Sequence, residues 1–230
     1  MKRIFFLIFL VLMIKNNTYG QHDYARLLIK NYLPKNPIIL DAGAHIGGDT
    51  LKTFQVWPNA TIHAFEPLPA LFAQLKENTK HFSNIHCHHL ALSDKTGRAK
   101  FYISTSGSDC SHSLLAPKEH LKYHPDVLFE KTTEVSVMNL DEWAVQNKVD
   151  HIDFMWLDMQ GAEMKMLQGA PEILKTVSVI YTEVNFYEVY AGCPTYPEYR
   201  AWLESQGFKV VYEDIKSWID FGDVLFVRNK

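Results

Sequence analysis

Short apolar runs separated by helical patterns set the rhythm of this chain. Ile38-Ile39-Leu40 ends on Asp41, a glycine-bearing turn runs through Gly43, His45 and Gly47, and a helical pattern covers roughly Asp49 to Val56. A second apolar run, Ala60 to Phe65, ends on Glu66, and residues 68–80 then place Leu71, Phe72 and Leu75 on one helical face. Further strands are predicted at 84–92, 152–157, 177–181, 209–212 and 224–228, the last of them antiparallel. Helices are predicted at 22–33, 139–147, from Glu163 to about Gln168, and 197–206. Residues 98–104 and 132–138 alternate like an antiparallel pair, a small β insert. Strand, tight turn, helix, strand, acid is the opening unit of a doubly wound, mostly parallel α/β sheet, whose ligand sits off the carboxyl ends of the strands.

The glycine spacing bears on which ligand that is. A dinucleotide fold uses G-x-G-x-x-G so that backbone amides converge on a pyrophosphate. Here the pattern is D-x-G-x-x-x-G, from Asp41 through Gly43 to Gly47. S-adenosylmethionine (SAM) carries a sulfonium, an amino group and a ribose but no phosphate, and carboxylates at Asp41 and Glu66 suit it. Gly43 and Gly47 would let the backbone turn and pass close to the ligand, and Glu66 would accept the two ribose hydroxyls. Ala91-Leu92-Ser93-Asp94 leaves the third strand at the same edge, where Asp94 would accept from the adenine amino group, or make an Asx turn into Lys95-Thr96-Gly97.

With 230 residues, 47% of them hydrophobic and 21% charged, the chain suits a single domain over 21–230 with a full core. A net charge of −3 with no basic stripe argues against nucleic acid as a partner. Three scattered cysteines supply no disulfide framework and no C-x-x-C zinc site. Residues 1–20 differ from the rest: Lys2-Arg3 precede an apolar run from Ile4 to Ile14, which is short for a membrane span and fits a signal peptide or hydrophobic anchor. That leader predicts a secretory or membrane-associated protein, whereas a true start at Met13 would make it cytoplasmic.

Other candidate chemistry lies at the ends of later elements. His86-Cys87-His88-His89 looks like a metal cluster, but strand alternation splits it between two faces, so it cannot close a tetrahedral site. The long segment from 105 to 131 reads as substrate-facing loop, with His112 as its most capable base or else a plain surface histidine. Asp158 ends the central strand, Glu163 opens the next helix as either base or cap, and Glu183 ends another strand. Asp158, Glu183 and Asn185 would suit Mg²⁺ as oxygen ligands, although no spacing rule favours it and no metal is assigned. Tyr187, Tyr190, Tyr196 and Tyr199 would stack on a ring or cover the sheet.

Taken together, Leu40-Asp41-Ala42-Gly43-Ala44-His45-Ile46-Gly47, Phe65-Glu66-Pro67, Ala91-Leu92-Ser93-Asp94 and Asp158-Met159-Gln160-Gly161-Ala162-Glu163 with Leu167-Gln168-Gly169-Ala170 resemble the FkbM-type methyltransferases. The resemblance covers about Ile38 to Glu183. It implies the seven-stranded class I fold, SAM as cofactor, and O-methylation of a hydroxyl on a sugar, glycan or secondary metabolite. Its matching motifs put Asp41, Gly43, His45, Gly47, Glu66, Pro67, Ser93, Asp94 and Asp158 at the cofactor, with Asp158, Glu163, Glu183 and His112 as candidate bases. Two departures stand out: Gln160 replaces a usual Glu, and a secretory-like leader is unexpected on an enzyme that uses cytosolic SAM. An exported module without catalysis and an NAD(P)-dependent oxidoreductase are the competing readings, the latter disfavoured by the missing G-x-G-x-x-G.

Overall fold

The computed structural model describes residues 21–229; the predicted leader and the alternative start at Met13 lie outside them. The elements in order are α1 (Gln21–Ile29), β1 (Ile38–Ala42), α2 (Gly48–Val56), β2 (Thr61–Phe65), α3 (Pro69–Thr79), β3 (Ile85–His88), β4 (Ala91–Ser93) and β5 (Gly97–Ile103). They continue with α4 (His120–Tyr123), β6 (Lys131–Asn139), α5 (Leu140–Asn147), β7 (Phe154–Leu157), α6 (Glu163–Gln168), α7 (Pro171–Thr176), β8 (Val179–Asn185), α8 (Tyr196–Ser205), β9 (Phe208–Asp214) and β10 (Phe221–Arg228).

The main sheet has seven strands in the order β3-β2-β1-β7-β8-β10-β9, parallel from β3 through β8 and closed by β10 antiparallel to both β8 and β9. Both of its faces are covered, which is why its central strands read as unbroken apolar runs. Alternate residues go to opposite sides. Leu40, Ala42, Met155, Leu157 and Ile180 pack with Trp143, Leu167 and Leu203 of the helices on one face. Ile39, Phe154, Trp156, Val179 and Tyr181 pack with Ala25, Ile29 and Trp57 on the other. The β insert is a separate three-stranded sheet, β4-β6-β5, with β5 and β6 antiparallel as the alternation predicts.

Several boundaries differ from the sequence reading. The predicted strand 84–92 is two strands: β3 ends at His88, and Ala91–Ser93 crosses to pair parallel with β6 in the small sheet. The strand predicted to end at Tyr181 runs on to Asn185, so Glu183 lies inside β8, opposite Asp223 of β10. α7, opened by Pro171 at its first turn, has no counterpart in the predicted elements. The loop from 105 to 131 contains α4 and is pinned to the fold, with Lys118 and His120 donating backbone hydrogen bonds to Val189. His86 stacks on His63 of β2, His63 and His88 meet Trp143 edge-on, and burial pushes His63 down to about 3 and His88 to about 4, so both are neutral.

Candidate functional site

A cavity of about 210 Å³ opens beyond the carboxyl ends of β1, β2 and β7, lined by Asp41, Gly43, His45, Glu66, Pro67, Asp158 and their neighbours. This is where the crossover topology leaves strand ends without a covering helix. Ala91, Leu92 and Phe101 of the small sheet close one side. The insert is therefore a wall of the cavity.

Two glycines shape the turn beside it. Gly43 has φ +88, and a Cβ there would lie 1.8 Å from the carbonyl oxygen of Asp158, so only glycine lets the β1 and β7 ends come together. Gly47 has φ +89 and starts α2, and a Cβ there would meet Leu75 of α3 at 2.8 Å. Its task is helix packing, not the close approach to ligand that the sequence suggests; it is Gly48 that lines the cavity.

The acids are held in place from behind. Asp41 Oδ2 accepts from Thr50 Oγ1 at 2.5 Å, across the first turn of α2. Glu66 Oε2 accepts from the His45 N–H at 3.1 Å and Oε1 from the Leu68 N–H at 2.7 Å. Two backbone amides thus fix the Glu66 carboxylate, and each oxygen keeps a lone pair for a ligand hydroxyl. Burial pushes both Asp41 and Glu66 up to about 7. Such acids favour a cation or hydroxyl donors beside them and disfavour a phosphate.

Ser93 and Asp94 are not brought to this cavity. Because β4 belongs to the small sheet, Ser93 donates to Asp94 at 3.0 Å, and Asp94 turns toward Lys165 at 3.7 Å on a different surface. Ala91 and Leu92 occupy the position expected of them. His112 does line the cavity, yet its Nδ1 accepts the Ser104 N–H at 3.0 Å. The neutral ring then carries its proton on Nε2, which makes it a donor and not the base expected of it.

The three remaining acids divide by environment. Glu163 is 2% exposed, and its Oε1 accepts from the N–H groups of Met159 and Gly161 at 2.7 and 3.3 Å. It ties the β7–α6 turn and lines neither this cavity nor the next, so its contacts are structural. Asp158 and Glu183 flank Gln160, whose Nε2 donates to Asp158 Oδ1 at 2.8 Å and Glu183 Oε1 at 3.2 Å while its Oε1 accepts from Tyr190. The amide stands between two carboxyls, where the Mg²⁺ reading would put a cation. Loss of bulk water pushes Asp158 up to about 6; burial and the Asp158 charge hold Glu183 well above the usual range. The Gln160 amide bridges the two acids, and each disfavours ionisation of the other.

Asp158, Gln160 and Cys110 also line a second cavity of about 230 Å³, which His120, His124, Glu183, Asp220 and Trp218 close on its far side. Among these only Glu183 stood out in the sequence. The H-x-x-x-H spacing of His120 and His124 was the available signal for two more.

The comparisons agree with this architecture. A solved rRNA methylase from Streptococcus thermophilus superposes with a TM-score of 0.51 at 12% identity, over 93% of this chain and 99% of that one, which is a likeness of fold. The 2-O-methyltransferase NoeI of Sinorhizobium fredii is 34% identical over 68% of this chain and 67% of its own length. The 31-O-demethyl-FK506 methyltransferase FkbM of Streptomyces tacrolimicus is 25% identical over 76% of this chain and 74% of its own. The model of the methyltransferase FkbM domain matches residues 41–210, from the first acid of the cavity to the penultimate strand, and the chain therefore belongs to the FkbM methyltransferase family.

Proposed function

We propose that the protein is a SAM-dependent O-methyltransferase acting on a hydroxyl of a sugar, glycan or secondary metabolite. The observation that carries the cofactor is the Glu66 carboxylate, oriented by two backbone amides at the carboxyl end of β2 and facing the same cavity as Asp41 and Asp158. Glu66 takes the ribose hydroxyls, Asp41 the amino-acid end, and Ala91 with Leu92 the adenine edge. O-methylation is supported by the O-methyltransferase activities of the two relatives. Bound SAM supplies an activated methyl group, so the protein's work is to align the acceptor oxygen, exclude water and move one proton.

Asp158 stands at the junction of the two cavities. A sulfonium beside it would bring its raised pKa back down, so Asp158 acts as the counter-charge to the cofactor and not as a base. The NAD(P) alternative lacks the G-x-G-x-x-G turn that brings amides onto a pyrophosphate. The reading of a fold without catalysis leaves the cavity and its oriented acids without a use.

Calorimetric titration of SAM, S-adenosylhomocysteine and NAD⁺ tests this. Micromolar binding of the first two and none of NAD⁺ is expected. Glu66→Gln, which keeps one acceptor for the backbone, should weaken SAM at least tenfold, or about 1.4 kcal/mol. Unchanged affinity would remove Glu66 from the ribose.

A further inference from the structure

The second cavity has features that the cofactor does not explain. It meets the first along Cys110, Asp158 and Gln160, so a molecule within it would face the cofactor across Asp158. Two of its buried side chains each leave one polar atom without a partner. Asp220 is 2% exposed and its Oδ1 makes no hydrogen bond among the described residues; His120 is 5% exposed and its Nδ1 makes none either. A buried polar atom without a partner is costly, and a bound hydroxyl would relieve it. The other oxygen of Asp220, Oδ2, lies 2.8 Å from His124 Nε2. With the Asp220 carboxylate accepting, Nε2 carries a proton, and Nδ1 is the ring atom left to take one at the cavity lining.

We propose that the second cavity seats the methyl acceptor as a single sugar ring and that His124, paired with Asp220, takes the proton of the hydroxyl being methylated. The proposal rests on the methyltransferase reading above. The second cavity, at about 230 Å³, is close in size to the first. The lining includes Asp220, Glu183, His120 and Asn185, which together offer both acceptors and donors to hydroxyls. Trp218, 53% exposed, stacks on Phe221 at 5.0 Å and 16° beside this polar set, which offers a flat apolar face to the C–H side of a pyranose. A flat phenol would use that face but leave the buried acids unpaired.

The step balances without a further reactant. The acceptor oxygen bonds to the methyl carbon as the carbon–sulfur bond breaks, the sulfonium becomes a neutral thioether, and the hydroxyl proton passes to His124 Nδ1. The imidazolium that forms is countered by Asp220. Asp158 faces the sulfonium in this arrangement, and Glu183 is engaged by the Gln160 amide.

The test follows transfer of labelled methyl from SAM to methyl glycosides of hexoses, 6-deoxyhexoses and hexuronic acids, with catechol as the flat comparison and SAM affinity measured in parallel. Label on at least one glycoside and none on catechol is expected. His124→Gln should lower kcat by ~10²-fold or more with KM and SAM affinity little changed, the scale of a lost general base. Asp220→Asn keeps the shape and should lower kcat in the same direction, whereas Trp218→Ala on the exposed rim should raise KM and spare kcat. Wild-type protein that binds SAM but labels only catechol, or nothing in the panel, overturns the sugar assignment. Full turnover in His124→Gln overturns the proton acceptor. Failure of the wild type to bind SAM defeats the underlying reading, and this one with it.

Discussion

Glu163 shows how an acid that looks catalytic in a motif can be spent on the backbone. Its carboxyl is buried, bonded to two amides of the turn, and pushed up to about 7 by that burial, from 4.5 in the unfolded chain. Between those two values the folded state holds a proton that the unfolded state has released. Stability from this group is therefore full below pH 4.5, falls as pH rises through 7, and is level above. Glu163→Gln keeps an acceptor for Met159 and has nothing to titrate. The melting temperature of wild type relative to the variant should drop between pH 4.5 and 7 by on the order of 5–10 °C, equivalent to roughly 2–3 kcal/mol. Turnover should stay within a few-fold. A difference in melting that is flat with pH would show the carboxyl to be hydrated, and a hundredfold loss of turnover would return Glu163 to the chemistry.

At the scale of elements, the carboxyl ends of β1, β2 and β7 gather Asp41, Glu66 and Asp158, all raised by burial, to about 7, 7 and 6. They are fully ionised only above those values, so SAM affinity should climb about tenfold or more from pH 5.5 to 7.5. S-adenosylhomocysteine lacks the sulfonium and should climb less, because Asp158 then has no cation to meet. Equal slopes for the two ligands in calorimetry would place Asp158 away from the sulfur. This half of the site was legible because it is local: an apolar run, an acid and a glycine turn lie within a few residues, and the period of each element says which end is which. The second cavity was not. His124 and Asp220 are 96 residues apart, one on a loop with a four-residue helix and the other before the last strand, and no spacing rule joins them. Ser93 and Asp94 were misplaced for a related reason. A four-residue strand followed by a three-residue one reads as one longer strand until the partner, β6, is known.

The molecule as a whole is closed by its first helix. Arg26 of α1 is 1% exposed, yet it carries a charge, and its guanidinium lies 4.2 Å over the Trp156 ring. It reaches Asp49 Oδ1 at 2.5 Å, Asp23 Oδ1 at 3.2 Å and Thr53 Oγ1 at 3.3 Å. Against the upward push of burial, hydrogen bonds from His22 and Arg26 hold Asp49 well below the usual carboxylate range. Since Trp156 and Asp49 both line the first cavity, α1 is the brace behind its wall, sitting directly after the segment that reads as a leader. Breaking a fully buried ion pair costs about 3–5 kcal/mol; Asp49 remains partly open to solvent, so Arg26→Ala should cost roughly 2–4 kcal/mol in a urea titration and weaken SAM as well. Arg26→Lys should recover only part of both, because a single ammonium cannot span Asp49 and Thr53 while lying flat on an indole. A loss under about 0.5 kcal/mol, the range of ordinary surface changes, would make α1 an appendage. The cavity wall would then have to stand on the sheet alone.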